Sequence, residues 1–290
     1  MKKLLTYLLF ISSITVYSQI DNDTFQVKMT IQKDSTLNGI IRTIEWHSEY
    51  LDEPRKISIF EPIGFRKDSV YDLIVTTDNQ CKSIAKMLQD RIIKSTIKPV
   101  LIVGIHNRET QPIDTILKGY KVNFRSKEMI GRHGVESWTG KNYELRNDSV
   151  AVKLIQGRLE KYIKWVALEV VDFLRSQYIL SDNDYWTLGG FSNGGAVVAD
   201  ICSSYPNVFG NIISMSPGGG GYDFDFSKTQ SKFYICAGII EWGFYKNSIE
   251  LKKLLSKNNV CYTHKTFFAG HSYNMWLKFY EEILIEIYKK

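Results

Sequence analysis

The chain is poor in cysteine. Its four cysteines, at positions 81, 202, 236 and 261, lie far apart and form no CxxC pair. That spacing argues against a thiolate metal centre and against a thioredoxin-like redox motif. Cys202 and Cys236 sit in apolar contexts and read as buried thiols, while an exported chain has room for one disulfide. Proline is also sparse, six in 290 residues, and no Pro/Ser-rich linker, internal repeat or low-complexity run divides the sequence. One domain with a well-buried core is therefore expected. HExxH, GxxxxGK[ST] and a GxGxxG at a strand–helix junction are all missing, so no metal or other cofactor is expected. The tract Gly218–Gly221 has no Lys-Ser/Thr behind it and reads as a mobile loop near the site, not as a phosphate cradle. No apolar run reaches the roughly 20 residues that a membrane-spanning helix needs. The net charge is +6, but the basic residues are interleaved with acids. Neither a nucleic-acid partner nor a stable membrane anchor is expected from that pattern.

What is present begins with the N-terminal run "MKKLLTYLLFISSITVYSQ". Lys2 and Lys3 precede 14 uncharged residues, 4–17, and a cut after Ser18 follows a branched and then a small residue. This is the three-part form of a secretory signal peptide. No cysteine near the cut suggests a lipid anchor. The expected mature domain is 19–290, exported to the periplasm or beyond the cell.

Residues 24–62 alternate between apolar and polar and read as antiparallel strands. "VYDLIVTT" (70–77) and "PVLIVGIH" (99–106) are continuous apolar runs, as in strands buried on both faces of a parallel sheet. "CKSIAKMLQDRIIKS" between them has helical spacing. Residues 107–150 are polar and aperiodic and read as a long insertion. A long amphipathic helix is expected over 152–178. After it strands and helices alternate: "DYWTLGGFS", "GGAVVADICSSYP", "GNIISMSP", "KFYICAG", "SIELKKLLSKNN", "CYTHKTFFAG" and "YNMWLKFYEEILIEIYKK". This pattern indicates an α/β fold with a mostly parallel, doubly wound sheet and antiparallel N-terminal strands.

The sequence Gly190-Phe191-Ser192-Asn193-Gly194 matches G-x-S-x-G between a strand pattern and a helix pattern. A serine nucleophile needs a sharp strand-to-helix turn that exposes its hydroxyl, and the crowded neighbours must lack bulk. The N–H of Asn193, at the helix start, would then face developing negative charge. The alternative is a tight turn with an incidental serine. A serine needs a base, and in this type of sheet the chain order is Ser, acid, His. His264 and His271 lie late enough. His264 falls inside a strand pattern, whereas His271 follows a strand at its carboxyl end, where α/β sheets bind ligands. His271 is the chosen base. Glu241, the first carboxylate after "KFYICAG", is the chosen acid, with Asp223 and Asp225 as rivals.

Together, "GGFSNGG", "YPNVFGNIISMSP" and "AGHSYNMW" resemble an esterase family of α/β-hydrolases. That family includes siderophore esterases, feruloyl and acetyl-xylan esterases, S-formylglutathione hydrolases and mycolyltransferases. The resemblance runs from about residue 40 to the C-terminus. It implies the α/β-hydrolase fold, a serine carboxylic-ester hydrolase, and a triad acid at the position of Glu241. It also implies a second oxyanion N–H from the loop Asp78-Asn79-Gln80, at Gln80. Relatives often have glycine where this chain has Asn79, and Met, Tyr or Phe where it has Asn193. Substrate contacts are expected from Arg108 and Trp138 in the insertion and from Trp242 beside Glu241. An Arg108–Glu109 ion pair and ordinary loop packing of the tryptophans are the alternatives. Trp276 either lines the pocket or buttresses it. The resulting expectation is an exported serine esterase acting on a small-molecule or polysaccharide-linked ester. A silent hydrolase-fold binding protein in nutrient uptake and an acyltransferase with the same triad are the other readings. Which ester, and which oligomeric state, the residues leave open.

Overall fold

The computed structural model describes residues 13–14, 27–107, 124–129 and 149–290. Among the described residues ten strands form a single sheet in the order β1-β2-β3-β4-β6-β5-β7-β8-β9-β10. They are β1 (Ser13–Ile14), β2 (Val27–Gln32), β3 (Gly39–Ser48), β4 (Glu53–Pro62), β5 (Asp72–Thr76), β6 (Val100–Ile105), β7 (Trp186–Phe191), β8 (Asn211–Met215), β9 (Lys232–Gly238) and β10 (Tyr262–Phe267). Pairing is antiparallel from β1 to β4 and between β4 and β6; from β6 to β10 it is parallel. The continuous apolar runs are the central strands: every residue of β5, β6 and β8 is buried. Alternating sequence marks the antiparallel arm, where one face stays polar.

Helices cover both faces. On one side α1 (Cys81–Ile93) and the C-terminal helix (Tyr273–Tyr288) bury Ile84, Leu88, Phe279 and Leu284 against the sheet. The other side carries the long central helix, α5 (Asn193–Ser204) and α6 (Trp242–Lys257), with Leu159, Val197 and Leu251 in its core. A short helix, α2 (Phe124–Met129), lies inside the insertion. With the C-terminal helix as α7, this is the doubly wound arrangement expected from the sequence.

Two helices differ from their sequence patterns. The helix expected over 152–178 is three segments: α3 (Ser149–Lys164), a π-helical turn (Trp165–Val170) and α4 (Val171–Gln177). The wide turn contains the buried Glu169, which accepts hydrogen bonds from Trp46 Nε1 (2.6 Å) and Ser48 Oγ (2.8 Å). A carboxylate facing the sheet interrupts the apolar spacing only here, which fits a local π-bulge. Helix α6 begins at Trp242, six residues before the periodicity suggests. Gly243 in its first turn has poor intrinsic helix propensity and disguises the start. Its early start carries Phe244 into the site.

All four cysteines are free thiols, with Cys81, Cys202 and Cys236 buried and Cys261 exposed. Among the described residues no helix is long and apolar enough to cross a membrane, and no cluster of three His, Cys, Asp or Glu side chains could hold a metal ion.

Candidate active site

The sequence places Ser192 at the junction of β7 and α5, and the backbone there is strained. Ser192 has φ 57° and ψ −125°, a conformation that L-residues rarely adopt and that costs on the order of 1–3 kcal/mol. The turn is held from both sides: Ser192 N–H donates to the Met215 carbonyl (2.9 Å), and the Ser192 carbonyl accepts from Gly218 N–H (2.9 Å). The flanking glycines are required by close approach. A Cβ on Gly190 would stand 2.6 Å from Thr77 Oγ1, and one on Gly194 would stand 2.9 Å from Asp78 Oδ2. The elbow is thus wedged against the loop after β5. Asn193 opens α5, so its N–H and those of the next two residues have no intrahelical acceptor. The glycine tract 218–221 packs against this elbow, with Gly219, Gly220 and Gly221 at positive φ. Its first residue, Gly218, braces the Ser192 carbonyl, and Gly221 N–H donates to Glu250 on α6 (3.1 Å).

Glu241 and His271 come from the ends of β9 and β10, the two parallel strands beyond β8. Glu241 follows β9 and is buried; His271 follows β10 and is exposed, its side chain about one third accessible. Glu241 Oε2 lies 2.5 Å from His271 Nδ1. Because a carboxylate only accepts, Nδ1 carries the proton, and in the neutral ring Nε2 keeps its lone pair. The other oxygen, Oε1, accepts from Ser216 Oγ (2.5 Å) and Gly238 N–H (2.6 Å). Ser216 accepts in turn from Trp276 Nε1 (2.7 Å). Phe244 stacks on the imidazole at 4.0 Å, and Trp276 meets it edge-on at 4.7 Å. Trp276 also stacks on Phe191, the residue before Ser192, at 4.2 Å. One indole therefore spans the histidine, the hydroxyl that orients the acid, and the serine turn. Trp276 is a buttress, the second of its two sequence readings. No hydrogen bond joins Ser192 Oγ to His271 among the described residues; such contacts often tighten only when substrate binds.

The rival residues lie elsewhere. His264 bonds Ser248 Oγ on α6 (3.2 Å), and burial, with Lys252 nearby, pushes its pKa below the usual histidine value. Asp223 and Asp225 are exposed, and Asp225 caps its own loop through Ser227. Gln80 is buried at the N-terminus of α1, its amide donating to the Thr77 carbonyl (3.2 Å). The residues of that loop that reach the elbow are Thr77 and Asp78. Trp242 is 72% exposed at the start of α6, beside Tyr245. Arg108 and Trp138 lie outside the described residues.

Sequence reasoning did not find Asp78, Arg125, Asn107, Ser216 or Phe244. Arg125, on α2, grips Asp78 through both Nε and Nη2 and lies over the Phe191 ring at 6.0 Å. Burial opposes its charge, but the bonded Asp78 carboxylate outweighs that cost and holds its pKa above the usual arginine value. Asn107 Nδ2 also donates to Asp78 (2.6 Å). One turn further along α2, the fully buried Glu128 pairs with Arg55 (2.8 Å) and Arg158 (2.7 Å). Asp78 was marked only by its place after an apolar strand and as part of the loop the resemblance implies; nothing signalled its pairing with Arg125.

No family model matches the sequence, and no curated protein matches it. Solved structures do match in shape. One is a ferulic acid esterase, at 12% identity and TM-score 0.60, covering 91% of this chain and 99% of that one. Another is a ferulic acid esterase from Anaeromyces mucronatus in complex with ferulic acid, at 12% identity and TM-score 0.61, covering 96% and 97%. A third is an enterochelin esterase from Shigella flexneri, at 17% identity and TM-score 0.61, covering 89% of this chain but only 59% of that one. At such identities the likeness speaks for the fold: this chain has the α/β-hydrolase fold.

Proposed function

We propose that the protein is an exported serine esterase that hydrolyses carboxylic esters through an acyl-enzyme. The observation that carries the reading is the Glu241–His271 pair: a buried carboxylate accepts from imidazole Nδ1, and Trp276 joins that imidazole to the strained strand–helix turn that carries Ser192. Ser192 Oγ attacks the ester carbonyl carbon, and its proton passes to His271 Nε2. The new imidazolium is stabilised by Glu241. The oxyanion is held by the N–H of Asn193 and by a second N–H from the loop after β5, assigned to Gln80. Collapse of the tetrahedral intermediate releases the alkoxide, which takes the proton from Nε2. Water, deprotonated by His271, then attacks the acyl-serine and frees the acid.

The solved structures of similar shape are named as esterases that act on ferulate esters and on enterobactin, which supports ester chemistry here. Export rests on the form of residues 1–18. The test is Ser192→Ala on p-nitrophenyl acetate. Turnover should fall by at least about 10³-fold, since the nucleophile is lost and only binding and oxyanion stabilisation remain; undiminished turnover would sink the assignment.

A further inference from the structure

The parallel strands carry Ser192, Glu241 and His271 at their carboxyl ends. Their amino ends, on the opposite edge of the sheet, carry a cavity. Asp72 begins β5, Lys98 and Pro99 lead into β6, and Tyr185 leads into β7. With Val70 and Ser181 they line a space of about 520 Å³. The backbone fixes its floor. Tyr71 N–H donates to the Ile179 carbonyl (3.0 Å) and Ser181 N–H to the Tyr71 carbonyl (2.9 Å), which holds Ser181 beside the start of β5. Lys98 N–H donates to the Tyr288 carbonyl (2.9 Å), and the buried Tyr288 hydroxyl lies 3.1 Å from the carbonyls of both Leu73 and Tyr185. The cavity is therefore built in advance, which lowers the ordering cost of binding.

Two of its polar groups have no partner among the described residues. Asp72 is only 7% exposed, and its Oδ2 makes no hydrogen bond; the same holds for the buried Ser181 Oγ. Leaving a buried carboxylate oxygen without a donor is costly. Lys98 Nζ stands 3.8 Å from Oδ2, beyond hydrogen-bond reach, and 4.9 Å from the centre of the Tyr185 ring. The cavity thus holds one carboxylate and one ammonium, close together but not bonded.

That pair selects the ligand. A simple anion would meet Lys98 and be opposed by Asp72. A simple amine would satisfy Asp72 and crowd Lys98. A hard divalent cation needs several oxygen ligands and would find a single carboxylate. A ligand with an ammonium beside a carboxylate answers both charges. Its ammonium donates to Asp72 Oδ2 and Ser181 Oγ, and its carboxylate accepts from Lys98 Nζ. Val70, Pro99 and the Tyr185 ring supply the remaining walls, and Val70 and Tyr185 leave apolar surface exposed that a ligand side chain would cover. We infer that this cavity is a binding site for a free α-amino acid with an apolar side chain. It lies at the opposite ends of β5 and β7 from Thr77 and Ser192, and the assignment does not depend on the esterase reading.

The experiment is calorimetric titration of the full chain with L-leucine, L-leucinamide and N-acetyl-L-leucine. Saturable binding of L-leucine is expected, at least about tenfold tighter than that of either derivative, because each derivative lacks one charged hydrogen-bonding group. Asp72→Asn should weaken leucine binding by at least about tenfold, and Ser181→Ala by about 2–10-fold, the ranges for a charged and a neutral hydrogen bond. Lys98→Met, at a half-exposed position, guards against a folding defect at Asp72. It should abolish the preference for leucine over leucinamide and keep the preference over N-acetyl-leucine. Ser192→Ala should bind leucine as the native chain does. Absence of leucine binding, equal binding of the three ligands, or leucine binding that Asp72→Asn and Lys98→Met both leave unchanged would overturn the assignment.

Discussion

The two flanks of Ser192 are built from different chemistry. On the β9–β10 side, Glu241 receives only neutral donors and the imidazole: Ser216, Gly238 N–H and His271. On the β5–β6 side the two carboxylates that face α2 or lie on it are matched by arginine, Asp78 by Arg125 and Glu128 by Arg55 and Arg158. The first arrangement fixes a carboxylate in place without neutralising it, so its charge is available when the imidazole takes a proton. The second cancels charge locally and holds α2 and the loop after β5 in position. Under the proposed mechanism one flank serves a change of charge during the reaction and the other keeps its charge constant.

This contrast is open to attack at several points. Glu241→Gln should cost the most, on the order of 10³–10⁴ in kcat, because the amide no longer enforces the tautomer or stabilises the imidazolium. Its melting temperature should move little in comparison, and a loss of activity under tenfold would erase the difference between the flanks. Glu128→Ala should do the opposite. It leaves Arg55 buried without its principal partner, so unfolding in denaturant should show a loss of about 3–5 kcal/mol, with kcat largely kept in the protein that remains folded. A smaller effect is expected of Ser216→Ala, which removes one of the three donors to Glu241. A fall in kcat of about 2–10-fold with unchanged KM would mark it as a positioning residue; a change confined to KM would not.

Acid should also separate the two sides. The unfolded chain has a histidine pKa near 6.5 at position 106, and the folded chain holds it at about 4. Between those values the unfolded state binds a proton that the folded state refuses. Stability from this group is therefore intact above about pH 6.5 and declines as the pH falls towards 4. Melting curves of His106→Gln should show a shallower decline across that window, and an identical slope would contradict the role of burial. The least effect belongs to Trp242→Ala. At 72% exposure the ring should contribute within about 0.5 kcal/mol of stability, and any consequence should appear in KM for bulky esters.

The sheet order was legible because the signals are local. Continuous apolar runs mark β5, β6 and β8, and alternation marks β3. The triad candidates were legible for a related reason, since each follows its strand directly and chain order ranks the histidines and the carboxylates. What escaped depends on distance in sequence. Asp78 acquires its partners from Asn107 and Arg125, 29 and 47 residues away, and Arg125 lies in an aperiodic insertion. Ser216 reads as an ordinary small residue after a strand, and only the fold brings Trp276 to it across 60 positions. Phe244 was hidden by Gly243, which made the start of α6 look like loop. The assignment of the Gln80 N–H came from resemblance and concerns the backbone; the side chains of that loop that reach the elbow are those of Thr77 and Asp78. A strained β5 loop, with Asp78 and Asn79 both at positive φ, has no signature in composition or periodicity.

Reaction with a fluorophosphonate probe, read by peptide mass spectrometry, tests most directly whether Ser192 is an activated nucleophile. The expected result is a single adduct on Ser192 in the native chain, strongly slowed in Glu241→Gln and lost on denaturation. An unmodified Ser192, or an adduct that forms equally well in the denatured chain, would contradict the proposed chemistry.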